Sequence, residues 1–157
     1  MPPPALLDLE SVDLNHVVVT REQIYARLPH RFEFMQLDGI VHLDFDRKIA
    51  VGYRDIREDE WWVRGHIPGR PLFPGVLMVE TGAQLASYVS LLVLDQSKFL
   101  GFGGIDRAKF REAVSPPARL FLVCRADEIK PRRIISTIQG FVEGRMAFET
   151  VITGLPM

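Results

Sequence analysis

The sequence predicts an α+β fold, one long buried helix set among antiparallel strands, and three observations lead there. From Gly75 to about Leu94 the only charged side chain is Glu80, and apolar residues lie on every face, the pattern of a helix buried all round. Runs rich in β-branched and aromatic residues stand on both sides of that helix. Glu143-Gly144 is a tight-turn pair between two such runs, which makes them a hairpin.

The elements follow in chain order. Residues 1–19 read as an N-terminal extension whose first four residues, Met1 to Pro4, form a loose proline-rich end. They carry no Lys or Arg and no sustained apolar run, which argues against a secretory signal. Thr20 and Gln23 have the spacing of a capping box, so a short helix is expected from Arg21 to about Leu28, ended by Pro29. Strands are expected at Met35 to Phe45, Ile49 to Ile56 and Trp61 to Gly65, then the long helix. After it come Phe99 to Phe110, Arg119 to Lys130, Ile134 to Val142 and Arg145 to Thr153. Residues 20–157 thus form a single domain, and 157 residues suffice for one hydrophobic core.

Composition excludes several classes. The formal charge is only −1, from 19 basic and 20 acidic side chains, and neither basic cluster carries the interleaved aromatics of a nucleic-acid site. The long helix approaches the length of a membrane span, but Glu80, Thr81, Gln84, Ser87 and Ser90 make it polar for one, and an intramembrane carboxylate costs roughly 3 kcal/mol or more. Cys124 stands alone, so no internal disulfide is available, as suits a reducing cytoplasm. His16, His30, His42 and His66 are too widely spaced to suggest a metal site, and no glycine-rich dinucleotide fingerprint occurs.

The most informative stretch runs from Gly65 to Gln84. Three prolines and three glycines between residues 65 and 75 make a shaped turn that opens the long helix. His66 stands at one end of it and Glu80 lies beyond the other, a base that titrates near neutrality and a carboxyl inside an apolar helix. Burial disfavours a charged carboxylate, so Glu80 is expected to be able to donate a proton. Gln84, one turn further on the same face, is placed to hold that carboxyl. The unpaired amides of Gly75 and Val76 at the helix start form a pocket for negative charge.

Gly65-His66-Ile67-Pro68-Gly69-Arg70-Pro71-Leu72-Phe73-Pro74-Gly75-Val76-Leu77-Met78-Val79-Glu80 resembles the signature of the beta-hydroxyacyl-acyl-carrier-protein dehydratases of bacterial fatty-acid synthesis. Leu28-Pro29-His30-Arg31-Phe32-Glu33-Phe34 resembles that family's opening motif, and Gly104-Ile105-Asp106-Arg107-Ala108-Lys109-Phe110-Arg111 a later segment, in matching order over roughly residues 20 to 155. The resemblance implies a hotdog fold, a curved antiparallel sheet wrapped around the helix. It implies elimination of water from a (3R)-hydroxyacyl thioester to give the trans-2-enoyl product, in fatty-acid or related lipid and polyketide synthesis. It also implies a homodimer in which His66 of one chain faces Glu80 of the other, alone or within a trimer of dimers, between which these residues do not decide.

On that reading His66 is the base at C2 and Glu80 the acid that protonates the departing hydroxide. The thioester oxygen would be met by the amides of Gly75 first, then Gly103 or Gly104, while Phe73 and Phe102 are candidates for an acyl tunnel. The reaction needs no cofactor beyond the phosphopantetheine arm of the acyl carrier protein. Arg107, Lys109 and Arg111 form one basic group, and Lys130, Arg132 and Arg133 another; each is either a docking surface for that acidic carrier or an ordinary solvated face. His30 is expected to be structural.

Departures from the family pattern include Ser115-Pro116-Pro117-Ala118 in place of its usual turn, and Thr81-Gly82 in the helix. Gly82 marks either close packing or extra room for an acyl chain. Glu80 and Gly69-Arg70-Pro71 favour the branch that does not isomerise the double bond, whose relative carries Asp and Gly-Asp-Pro. The Asp-x-Asn-Pro-x-His motif of coenzyme A ester hydratases is absent from the chain. The competing readings are a hotdog thioesterase and a non-catalytic acyl-chain binding protein.

Overall fold

A computed structural model describes residues 1–94 and 99–157. The capping box forms as the sequence predicts: Thr20 accepts from the Gln23 amide at 3.2 Å and Gln23 returns a bond to the Thr20 amide at 2.9 Å. It opens α1 (Arg21–Arg27), directly after the two-residue strand β1 (Val19–Thr20). Strands β2 (Gly39–Asp44) and β3 (Ile49–Ile56) precede α2 (Gly75–Val93), and β4 (Leu100–Phe110), β5 (Ala118–Lys130), β6 (Arg133–Val142) and β7 (Arg145–Pro156) follow it. The β6–β7 turn holds Glu143 at φ 50° and Gly144 at φ 76°, the paired positive angles of a type I′ hairpin.

Among the described residues seven strands join in one antiparallel sheet of order β1-β2-β3-β5-β6-β7-β4. Alternation along the central strands decides what each face buries. One face packs Ala50, Leu120, Leu122, Cys124, Ile138 and Phe148 against α2. The other face carries Val41, Val51, Val123 and Phe141, covered by Leu7 and by Leu6, Leu9, Val12 and Leu14 of the N-terminal extension. That extension is therefore not loose at Pro4, whose carbonyl accepts from Gln139 Nε2 at 3.1 Å while the Leu6 amide donates to Gln139 Oε1 at 2.8 Å. A buried side-chain amide on the sheet surface had no signal in the first four residues.

Two strand expectations are corrected. Residues 61–65 form turns, because the Trp62 carbonyl accepts from the amides of both Gly65 and His66, and the Val63 amide bonds to Glu60. Local bonds there take the place of a ladder, while the Trp62 ring is buried against Phe73 with centroids 5.4 Å apart. The strand expected from Met35 begins only at Gly39. In α2 the burial is not complete: Val76 and Val93 are exposed, and the Glu80 side chain keeps 23 % of its surface open in the single chain.

Gly82 resolves as close packing. A Cβ there would lie 2.9 Å from Ile138 Cγ2, so the missing side chain lets α2 press onto β6.

Candidate active site

The turn before α2 is held at both ends. Phe73 is bound through its amide to the Val114 carbonyl at 2.7 Å and lies beneath the Arg54 guanidinium, 4.7 Å from its ring centre. Arg54, buried in β3, also donates to Gln36 Oε1 at 3.1 Å and to Glu60 Oε1 at 2.5 Å. One buried cation thus ties the turn that precedes His66 to the segment that follows it. Paired on all sides, it avoids the penalty of an isolated buried charge. Ile67 sits at φ 58°, uncommon for a β-branched residue, and Gly69 at φ 83°, where the lack of a Cβ is needed. The backbone beside His66 is strained, and the surrounding contacts hold it so.

Within that loop the His66 Nδ1 lies 2.7 Å from the Leu72 carbonyl oxygen. A carbonyl only accepts, so Nδ1 carries the proton and Nε2 presents its lone pair. His66 shares an open cavity of about 480 Å³ with Phe73, Gly75, Val76 and Phe110. The amides of Leu77 and Met78 turn back onto the Pro74 carbonyl, which leaves those of Gly75 and Val76 without a partner among the described residues. A Cβ at Gly75 would approach Phe110 Cε1 to 2.8 Å, so glycine keeps this entrance open.

Glu80 faces a different cavity, of about 140 Å³, lined also by His30, Ala83, Gln84, Ser87 and Phe102. Gln84 Nε2 donates to Glu80 Oε1 at 2.8 Å and to the Phe34 carbonyl at 2.8 Å, while its Oε1 accepts from Tyr25 OH at 2.6 Å and from the Gln36 amide at 3.2 Å. Burial pushes the Tyr25 phenol up to about 12, so it stays a donor to Gln84 while accepting from the Leu37 amide at 2.8 Å. His30 Nε2 stands 3.6 Å from the same Glu80 oxygen, and burial lowers the His30 pKa, with Glu80 opposing and Arg31 adding to the fall.

The single chain therefore keeps His66 and Glu80 in separate cavities, and gathers His66 with Gly75, Val76 and Phe73, and Glu80 with Gln84 and Phe102. Gly103 and Gly104 line neither; they lie on β4. Phe73 is a core side chain at the floor of its cavity.

Arg107 and Arg111 both pair with the buried Glu149, at 3.2 and 2.6 Å, with Lys109 between them on the strand. Lys130 and Arg133 pair with Glu128 at 2.9 and 2.8 Å, and those two cations hold its carboxyl down to about 2. Arg132 is exposed beside them. Four of the six cations expected to meet a partner already have one. Sequence reasoning missed Arg54, Glu60 and Tyr25 and the nearness of His30 to Glu80; a lone arginine within an apolar strand was the one available signal.

The FabA-like domain family matches residues 28–151. A protein described as 3-hydroxyacyl-[acyl-carrier-protein] dehydratase FabZ from Clostridium botulinum is 36 % identical over 131 residues, covering 81 % of this chain and 88 % of that one. Its namesake from Clostridium novyi is 35 % identical over 133 residues, covering 83 % and 92 %. Among solved structures, a mutant thioesterase from Pseudomonas aeruginosa aligns with TM-score 0.65 at 19 % identity, covering 89 % of this chain and 96 % of that one. A chain of a dehydratase heterocomplex from Xenorhabdus doucetiae aligns with TM-score 0.56 at 22 % identity, covering 74 % and 96 %. These two show the hotdog fold alone, whereas the sequence matches decide the family: the chain belongs to the FabA-like domain family.

Proposed function

We propose that this protein is a (3R)-hydroxyacyl-[acyl-carrier-protein] dehydratase that eliminates water to give the trans-2-enoyl thioester, with His66 and Glu80 as its catalytic pair. The observation that carries the reading is the His66 tautomer, since the Leu72 carbonyl leaves Nε2 free beside the amides of Gly75 and Val76. Similarity to dehydratases over most of the chain supports the substrate class.

His66 Nε2 takes the proton from C2, and the negative charge that grows on the thioester oxygen is met by the Gly75 and Val76 amides at the positive end of α2. The C3–O bond breaks as Glu80 gives its proton to the departing hydroxide, which leaves as water. Return of the proton from His66 to Glu80 restores the enzyme, and the same steps run backwards hydrate the enoyl chain. Gln84 fixes the direction of the carboxyl, and His30 stands beside it. No step requires a redox change, and the phosphopantetheine arm comes with the substrate.

Shared sites in a homodimer complete the reading. Two observations support them: His66 and Glu80 occupy separate cavities in one chain, and β4 is an edge strand with Phe102, Ile105 and Phe110 about half exposed. Such an edge is a template for pairing, and an isologous β4 to β4 contact extends one sheet into the other. Docking of an acidic acyl carrier falls to Lys109, Arg132 and the exposed part of Arg107, because the remaining cations face carboxylates already. The reading places the enzyme in the cytoplasm; α2, apolar enough to cross a membrane, is instead mostly buried inside the protein.

The deciding assay follows absorbance of the conjugated enoyl product from a (3R)-hydroxyacyl carrier substrate, with His66→Ala and Glu80→Gln as controls. Product from the native chain and loss in both variants supports the assignment. Full turnover in either variant overturns it.

A further inference from the structure

We infer that the acyl cavity beside Glu80 is built for a chain carrying an oxygen, a hydroxyl or a keto group, at a mid-chain carbon where it meets Ser136. The inference deepens the dehydratase reading and rests on it for the identity of the chain as acyl.

Among the described residues three buried side-chain polar atoms have no nitrogen or oxygen hydrogen-bond partner, and two of them, His30 Nδ1 and Ser136 Oγ, belong to residues that line this one cavity. His30 stands at the reacting end, next to Glu80. Ser136 does not. It lies on β6, only 1 % exposed, across the sheet from Ile152 and Ala126. Its polar neighbour is the Cys124 thiol, which burial pushes up to about 12 and which is a weak hydrogen-bond partner. The hydroxyl's capacity to bond is left almost unused.

Depth follows from the packing of β6 on α2. Ile138 presses on Gly82. Ser136 is two residues further along the strand, roughly 7 Å away, towards Ile134, and shares the cavity with Ala86, Ser87 and Ser90 of α2. Those three residues lie six to ten positions past Glu80 on α2, roughly 9 to 15 Å along the helix axis, so the wall they share with Ser136 runs well beyond C3 of a bound chain. Ser87 and Thr153, both half-buried, add hydroxyls to the same wall, whereas Ser90 donates to the Ala86 carbonyl at 2.7 Å.

A wall meant only for methylenes gains nothing from such groups. A plain chain that fills the cavity expels any water and leaves Ser136 bare, whereas a chain with an oxygen at that depth satisfies it. Sites that hydrogen-bond a substrate group discriminate strongly against analogues lacking it, because the buried partner is then orphaned.

The test compares 3-hydroxyacyl carrier substrates of one length that carry a hydroxyl, a keto group or neither at successive mid-chain carbons, with native protein and Ser136→Ala. In parallel, displacement of a fluorescent fatty acid by the corresponding hydroxy, keto and plain fatty acids reads the cavity without turnover. Expected is a preference of about tenfold or more, in kcat/KM and in displacement, for an oxygen at one depth, which collapses in Ser136→Ala while the plain chain is unaffected or improved. The hydroxyl and keto arms tell which oxygen is taken. Equal or better binding of the plain chain at every position overturns the inference. Absence of turnover with all substrates overturns the dehydratase reading instead, and the displacement ratios still decide the Ser136 subsite.

Discussion

His66 donates its Nδ1 proton to the Leu72 carbonyl across 2.7 Å, six residues further along the same loop. The loop thereby orients its own base. Replacing His66 by alanine removes that bond and the Nε2 lone pair together, and turnover should fall by about 10² to 10⁴. The ring is half-buried and among the described residues it bonds to the loop alone, so the melting temperature should barely change. A variant that melts as the native protein and still turns over at the native rate removes His66 from the mechanism.

Gln84 makes four hydrogen bonds at once, to Glu80, Phe34, Tyr25 and Gln36. Gln84→Ala leaves the Tyr25 hydroxyl and the Gln36 amide short of an acceptor in the interior, at about 1 to 3 kcal/mol for each orphan. It also frees the Glu80 carboxyl to turn. Denaturant titration should show a loss of several kcal/mol, and in the folded fraction kcat should drop more than KM rises.

Much of the fold was legible because the local signals agree with one another. Thr20 and Gln23 gave the cap, Glu143-Gly144 the hairpin, and the apolar run from Gly75 the buried helix. Residues 61–65 misled because Trp61, Trp62 and Val63 have strand-like character, while short-range bonds to the Glu60 and Trp62 carbonyls fold them into turns, with Trp62 packed on Phe73 and Glu60 bound by Arg54. His66, Glu80 and Gln84 were legible by type and spacing. Arg54 and Tyr25 each act partly through a partner far along the chain, Gln36 at 18 residues and Gln84 at 59, and no periodicity reveals such pairs.

His30 gives the protein a pH dependence with a definite sign. Burial lowers its pKa below the ordinary 6.5, so the folded state binds fewer protons than the unfolded chain as the pH drops. The stability tied to its neutral ring is complete above 6.5 and is lost progressively at lower pH. Thermal melts of the native protein and His30→Asn between about pH 7 and pH 5 should therefore converge on acidification, with the native protein losing more. Parallel slopes would show that His30 is not a buried neutral ring.

Gly82 separates helix propensity from packing. Alanine is the better helix former by about 1 kcal/mol, yet its Cβ would meet the stiff, β-branched Ile138 at 2.9 Å inside the core. Overpacking of this kind costs about 1 to 3 kcal/mol, so Gly82→Ala should lower stability on balance. Gly82→Ala combined with Ile138→Val should recover part of the loss, and a single variant more stable than the native protein would mean that α2 and β6 can separate freely.

Separate cavities for His66 and Glu80 make complementation the sharpest check on the shared site. In a mixed dimer of His66→Ala and Glu80→Gln chains, one site receives both substitutions and the other receives His66 from one chain and Glu80 from its partner. Random exchange gives mixed dimers as about half of the population, each with one working site of two, so roughly a quarter of native activity should return on unfolding and refolding the two inactive variants together. Each variant refolded alone should stay inactive. If acid and base come from the same chain, every site in the mixture keeps one defect and no activity returns, which would place the pair within one subunit and leave the β4 edge to some other contact.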